Sequence, residues 1–222
     1  MSDLFHLWSI FLGTFIGLLP IIDPLSAAPW FLAITEGAGD ERRREQALQG
    51  CFYMVGILVS FLIGGTFIMK FFGISMPGLR ITGGILLTGI GMNMLAAHRS
   101  DIGGDADERE AARRKEDISF SPLAMPMLAG PGSIAVTLGF SSLATGWADY
   151  VAIIAGIIVM ALLTYAVLRL AARSVKFIGP VGVNAMTRIM GFLTMCIGVQ
   201  FVVNGVLDPE LLRVIAAAFS GR

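Results

Sequence analysis

Hydrophobic residues dominate the chain in long unbroken runs, and formal charge is confined to the gaps between them. Neither the strict alternation of a half-buried strand nor the one-sided stripe of a soluble helix organises these runs. About 20 consecutive apolar residues cross a hydrocarbon core as a helix, and six runs meet or approach that length: Leu4 to Thr35, Gln46 to Met69, Ile81 to Ala97, Ile118 to Ala148, Tyr150 to Leu168 and Ile189 to Leu207. The predicted fold class is therefore an all-α integral membrane protein of six transmembrane segments.

Runs one and four are longer than one crossing needs, and each carries three prolines: Pro20, Pro24 and Pro29 in one, Pro122, Pro126 and Pro131 in the other. Proline removes a backbone donor and clashes with the preceding turn, so these two segments are expected to kink or break. A single proline is tolerated as a kink in a membrane helix, but matched sets in both halves point to interrupted segments, the sequence mark of a secondary-transporter site.

The correspondence extends along the chain. Pro24 and Pro131 lie 107 residues apart, and Arg80-Ile81-Thr82-Gly83 and Arg188-Ile189-Met190-Gly191 lie 108 apart, each after a Gly/Pro loop at Pro77-Gly78 or Gly179-Pro180. Two three-helix repeats are expected, 1–98 and 120–222, joined by a polar cytoplasmic linker over 99–119. Because each repeat has an odd number of crossings, the second is inverted relative to the first.

Charge sets the expected orientation. Twelve of the 16 Lys and Arg residues fall in loops one, three and five, against four on the other face. The positive-inside rule then puts both termini outside, in a multi-pass protein of the bacterial inner membrane. Composition agrees, at 55% hydrophobic, 14% charged and a mean hydropathy of +0.78. Net charge is zero, so nothing draws the chain to nucleic acid. No basic region precedes Arg42, and the first run is expected to stay in the mature protein.

Candidate chemistry concentrates at the breaks. Asp23 is the one acid near the middle of a run, where a carboxylate costs several kcal/mol unless paired, hydrated or protonated. Two readings meet there: Asp23-Pro24 as a helix start, with Asp as N-cap, and Asp23 as a proton or ammonium site. They are compatible. The half-helices that follow, Pro24-Leu25-Ser26-Ala27-Ala28 and Gly130-Pro131-Gly132-Ser133, would offer free N–H groups and serine hydroxyls to a small anionic or zwitterionic solute. Asn93, Gln200 and Asn204 are secondary candidates, expected in interhelical hydrogen bonds with substrate contact as the alternative. Arg80 and Arg188 read as snorkelling interfacial residues, with pairing to Asp23 as the alternative. Cys51 and Cys196 read as small buried hydrophobes, and no metal or cofactor is expected.

The motifs Leu19-Pro20-Ile21-Ile22-Asp23-Pro24-Leu25, Pro77-Gly78-Leu79-Arg80-Ile81-Thr82-Gly83-Gly84, Pro122-Leu123-Ala124-Met125-Pro126 with Ala129-Gly130-Pro131-Gly132-Ser133-Ile134-Ala135, and Arg188-Ile189-Met190-Gly191-Phe192 resemble the MarC family of bacterial inner-membrane proteins. The resemblance implies six helices, external termini and transport of neutral amino acids such as glycine and alanine, with proton coupling. The family's first motif usually reads Asn-Pro where this chain has Asp23-Pro24. Rival readings are a non-transporting scaffold or regulator acting through the linker and an exporter of other small solutes. An enzyme is not expected, since no second mid-membrane acid, zinc motif or nucleophile elbow occurs.

Overall fold

The computed structural model describes residues 2–96, 117–209 and 211–213. The described residues form eight helical elements: α1 (Ser2–Ile22), α2 (Pro24–Ile34), α3 (Asp40–Phe72), α4 (Met76–Ala96), α5 (Ser119–Leu128), α6 (Pro131–Ser141), α7 (Trp147–Arg169) and α8 (Ala171–Val206). Five helices are long and apolar enough to cross a membrane, and α5 with α6, bent by 60°, makes up to six spans. The expected linker 99–119 lies outside the described residues except for Asp117 to Ser119.

Several boundaries move from those the sequence suggests. Pro77 and Gly78 form no loop: they sit in the first turn of α4, where Ser75 Oγ accepts from the Gly78 amide at 3.3 Å. The sixth span starts earlier, at Val181. Gly179, with φ 70°, turns the chain inside α8 and separates its first residues from the crossing. Ser119 opens α5 instead of closing the linker, and its hydroxyl and amide hold the Asp117 carboxyl below the usual carboxylate range.

Packing pairs each element with one from the other half. α1 lies on α7 and α5 on α3; α2 lies on α8 and α6 on α4; α3 meets α7, and α4 meets α8 most extensively of all. Glycine permits the last contact. A Cβ on Gly84 would stand 2.5 Å from the Gly198 carbonyl oxygen, and one on Gly91 would stand 2.6 Å from that of Gly191. Small residues let backbones approach this closely in membrane helices.

α1 and α6 run antiparallel in the same manner, with Gly13 and Gly17 under the Phe140 ring and Ile21 over Gly132. Leu18, Phe31, Met54, Leu58, Leu123, Ile153 and Met160 fill the core between these pairs. The outward faces are apolar too: Phe52, Ile63, Phe67, Ile85, Val151 and Leu162 are all exposed, as a lipid-facing surface requires.

Candidate functional site

The first break is built by its own sequence. Pro24 has no N–H, so it cannot continue the hydrogen-bond ladder to the Pro20 carbonyl, and it disfavours helical geometry at the residue before it. Asp23 accordingly adopts a left-handed conformation, φ 36° and ψ 70°, the only non-glycine positive φ among the described residues. Asp and Asn tolerate that region better than other side chains. Asp23 then caps α2: its carbonyl accepts from the Ser26 and Ala27 amides, both at 3.1 Å, and Pro24 takes the first helical position.

Two hydroxyls from α8 complete the break. Thr194 Oγ1 donates to the Pro20 carbonyl at 3.0 Å, replacing the donor that Pro24 lacks. Thr187 Oγ1 meets Ser26 Oγ, which in turn meets Asp23 Oδ2. Thr187 also donates to the Val183 carbonyl at 3.0 Å. Neither threonine was singled out by the sequence, although Thr187 directly precedes the Arg188 motif.

This chain of oxygens accepts either charge state of the acid. With Asp23 ionised, Ser26 donates to it. With Asp23 protonated, the acid can donate to Ser26, Ser26 to Thr187, and Thr187 to the Val183 carbonyl, so no hydroxyl is stranded. Asp23 is only 5% exposed. Among the described residues no Lys, Arg or His forms an ion pair with it.

The second break is built differently. Ser121 and Met125 take extended geometry before Pro122 and Pro126, both X–Pro bonds are cis, and five-residue hydrogen bonds such as Ala129 N to Ala124 O at 2.8 Å loosen the helix. Gly130 precedes α6 with no side-chain cap. A Cβ on Gly130 would stand 2.4 Å from the Pro126 carbonyl oxygen. Pro131 is exposed, whereas Gly130, Gly132 and Ser133 are buried.

The structure brings the two breaks to each other through Gly132, where a Cβ would touch Ile21 of α1 and Ile90 of α4, each at 3.1 Å. The serine hydroxyls are not free donors, contrary to the sequence reading. Ser26 serves Asp23, and Ser133 donates to the Leu128 carbonyl at 3.0 Å, filling a gap left by the break. Ala27 and Ala28 are packed into the core, and Leu25 is half-buried.

Other candidates lie elsewhere. Arg80 pairs with Asp208 at 2.9 Å and donates to Ser142 Oγ at 2.8 Å, so it is not the partner of Asp23. Arg188 is exposed on α8. Gln200 donates to Asn204 at 2.8 Å one turn along the same helix, in place of the expected interhelical bond, and Asn93 is exposed. Cys51 is buried as expected, but Cys196 is exposed on the outer face of α8. Asp149, unremarked in the sequence, is buried at the start of α7. It accepts from the Thr145 and Gly146 amides at 2.7 and 3.2 Å and lies 3.5 Å from His6.

The four motifs that resemble one family meet in this geometry: two at the breaks, two on the α4–α8 pair beside them. The sequence model of the MarC family of integral membrane proteins matches residues 8–209. The chain belongs to the MarC family. Among relatives, the inner membrane protein MarC of Salmonella paratyphi A is 36% identical, and those of Citrobacter koseri and Escherichia coli are each 35% identical. Each alignment covers 94% of this chain and 97% of the relative. No solved structure matches the chain. The MarC-family protein is thus a multi-pass membrane protein whose helices are interrupted at two corresponding prolines.

Proposed function

We propose that this MarC-family protein is a secondary transporter of small neutral amino acids of the glycine and alanine kind, coupled to protons and working by alternating access around the two breaks. The observation that carries the reading is Asp23, a buried acid at a helix break inside a membrane-spanning bundle, held by hydroxyls that can reverse their donation when it protonates. Ionisable groups at membrane depth are costly and mark ion or proton pathways.

The reading places the substrate at Asp23 to Ala28 and Gly130 to Ser133. Support comes from the N-terminus of α6, buried without a side-chain cap, which suits a carboxylate. Asp23 is suited to the substrate ammonium or the proton. The exchanged contacts between halves, α1 on α7 matched by α5 on α3 and α2 on α8 matched by α6 on α4, support an inverted repeat, the architecture in which midplane sites form between halves. The relatives' name and the loop charges favour the inner membrane with both termini outside.

Uptake of labelled glycine and alanine into proteoliposomes under an imposed pH gradient tests the proposal. The native protein should accumulate one or both, and Asp23→Asn should cut gradient-driven uptake by about tenfold, equivalent to ~1.4 kcal/mol. Uptake that survives the substitution assigns Asp23 to capping alone. No uptake by folded native protein across a panel of small zwitterions overturns the carrier.

A further inference from the structure

A cavity of about 440 Å³ lies where the start of α4, the end of α6 and the end of α8 meet. Its polar wall is Arg80, Asp208 and Asn204, and its apolar wall includes Phe140, Phe201 and Leu207. The Arg80–Asp208 pair is sheltered but not sealed, with side chains 20% and 15% exposed. Arg80 is held from a second side by Ser142, which itself donates to the Gly139 carbonyl at 2.6 Å. Asn204 uses its side-chain oxygen to accept from Gln200, leaving its amide NH₂ as a donor on the wall.

We infer that this cavity is a second binding site, a vestibule for a small zwitterion that enters by dividing the Arg80–Asp208 ion pair. A free carboxylate would compete with Asp208 for Arg80, and a free amine would compete with Arg80 for Asp208. A molecule carrying both charges at short separation answers both at once, its carboxylate on the guanidinium fork and its ammonium on Asp208. A partly buried pair loses much when one partner is removed and little when both are replaced.

The location gives the site its role. Phe201 floors the cavity, packed so tightly on Gly139 that a Cβ there would stand 2.7 Å from its ring. Below it Gly83 rests on Ala135, and below that Gly132 meets Ile21, two residues from Asp23. The cavity thus stands at the head of the α4–α6 seam that leads to the breaks. It would take the solute before Phe201 moves. The ligand class rests on the carrier reading; the site's existence does not.

The test uses the full-length purified protein in detergent, with Cys51→Ser and Cys196→Ser as background and Leu143→Cys on the cavity wall as a reporter. The rate of modification by a charged thiol reagent is followed with alanine, glycine, acetate or methylamine present. Alanine or glycine should slow labelling several-fold and saturably, and the singly charged compounds should not. Arg80→Gln and Asp208→Asn should each abolish protection while the cysteine still reacts, and Arg80→Lys should retain part of it. Two neutralised variants keep the comparison available if one fails to fold. No protection by either amino acid, or protection undiminished in the neutralised variants, overturns the site. Protection without uptake in liposomes would overturn the carrier and leave the vestibule standing; uptake without protection would do the reverse.

Discussion

At residue scale, the first break depends on side chains that replace what proline removes. Thr194 is the clearest case, because its hydroxyl is the donor for a buried carbonyl that Pro24 leaves vacant. Thr194→Val keeps the shape and strands that carbonyl, so stability should fall by about 1–3 kcal/mol. Thermal unfolding in detergent measures it, with Thr14→Val as the comparison. Thr14 only adds a bond to the Ile10 carbonyl of its own helix, and its loss should cost less.

Asp23 itself was legible from the sequence, since an acid before proline in an apolar run announces both a cap and a buried charge. Thr187 and Thr194 were not, because their partners lie 161 and 174 residues away and only tertiary packing joins them. The left-handed backbone would accept asparagine at position 23 as well as aspartate. Both residues tolerate that geometry, so the backbone does not decide between them.

At the scale of elements, the long apolar runs translated into helices with little ambiguity, and Pro24 and Pro131 each opened a half-helix of 11 residues. The ends were less legible. Proline at Pro77 looked like a loop but serves in a first helical turn, where its missing donor costs nothing. The α4–α8 contact was also missed, although its signal was present: Gly84 and Gly91 on one helix, and Gly191, Gly198 and Gly205 on the other, recur at intervals of seven. Gly198→Leu should force these helices apart, since a Cβ there would stand 2.7 Å from the Gly84 carbonyl oxygen. The expected loss is about 1–3 kcal/mol in the same unfolding assay, whereas Gly64→Leu, which meets open space, should cost far less.

At the scale of the molecule, helix order puts two groups of residues at opposite ends. Arg80, Ser142 and Asp208 mark one end, where α4 begins and α6 and α8 finish. Arg43, whose guanidinium caps α2 by donating to the Thr35 carbonyl at 3.0 Å, and Arg169 mark the other. The positive-inside rule predicts that the Arg43 end is the cytoplasmic one. In a background lacking Cys51 and Cys196, Trp147→Cys should therefore react with a membrane-impermeant thiol reagent in intact cells. Gly39→Cys should react only after the membrane is opened. The reverse pattern would invert the topology. Loop composition yields the orientation that this labelling tests, whereas the packing of Ile21, Leu87 and Ile90 on Gly132 was not legible, because it joins three helices far apart in the chain.

The matched length of the two half-helices has an electrical consequence. Eleven residues of helix rise ~16 Å, about half of a hydrocarbon core of ~30 Å. A proton that reaches Asp23 past α2 therefore crosses up to roughly half of the transmembrane voltage. At ~2.3 kcal/mol per elementary charge per 100 mV, loading that carboxylate is worth about 1.2 kcal/mol at 100 mV. A carrier built on this geometry feels the membrane potential even when its cargo has no net charge, and one in which Asp23 cannot ionise would feel it only through the cargo.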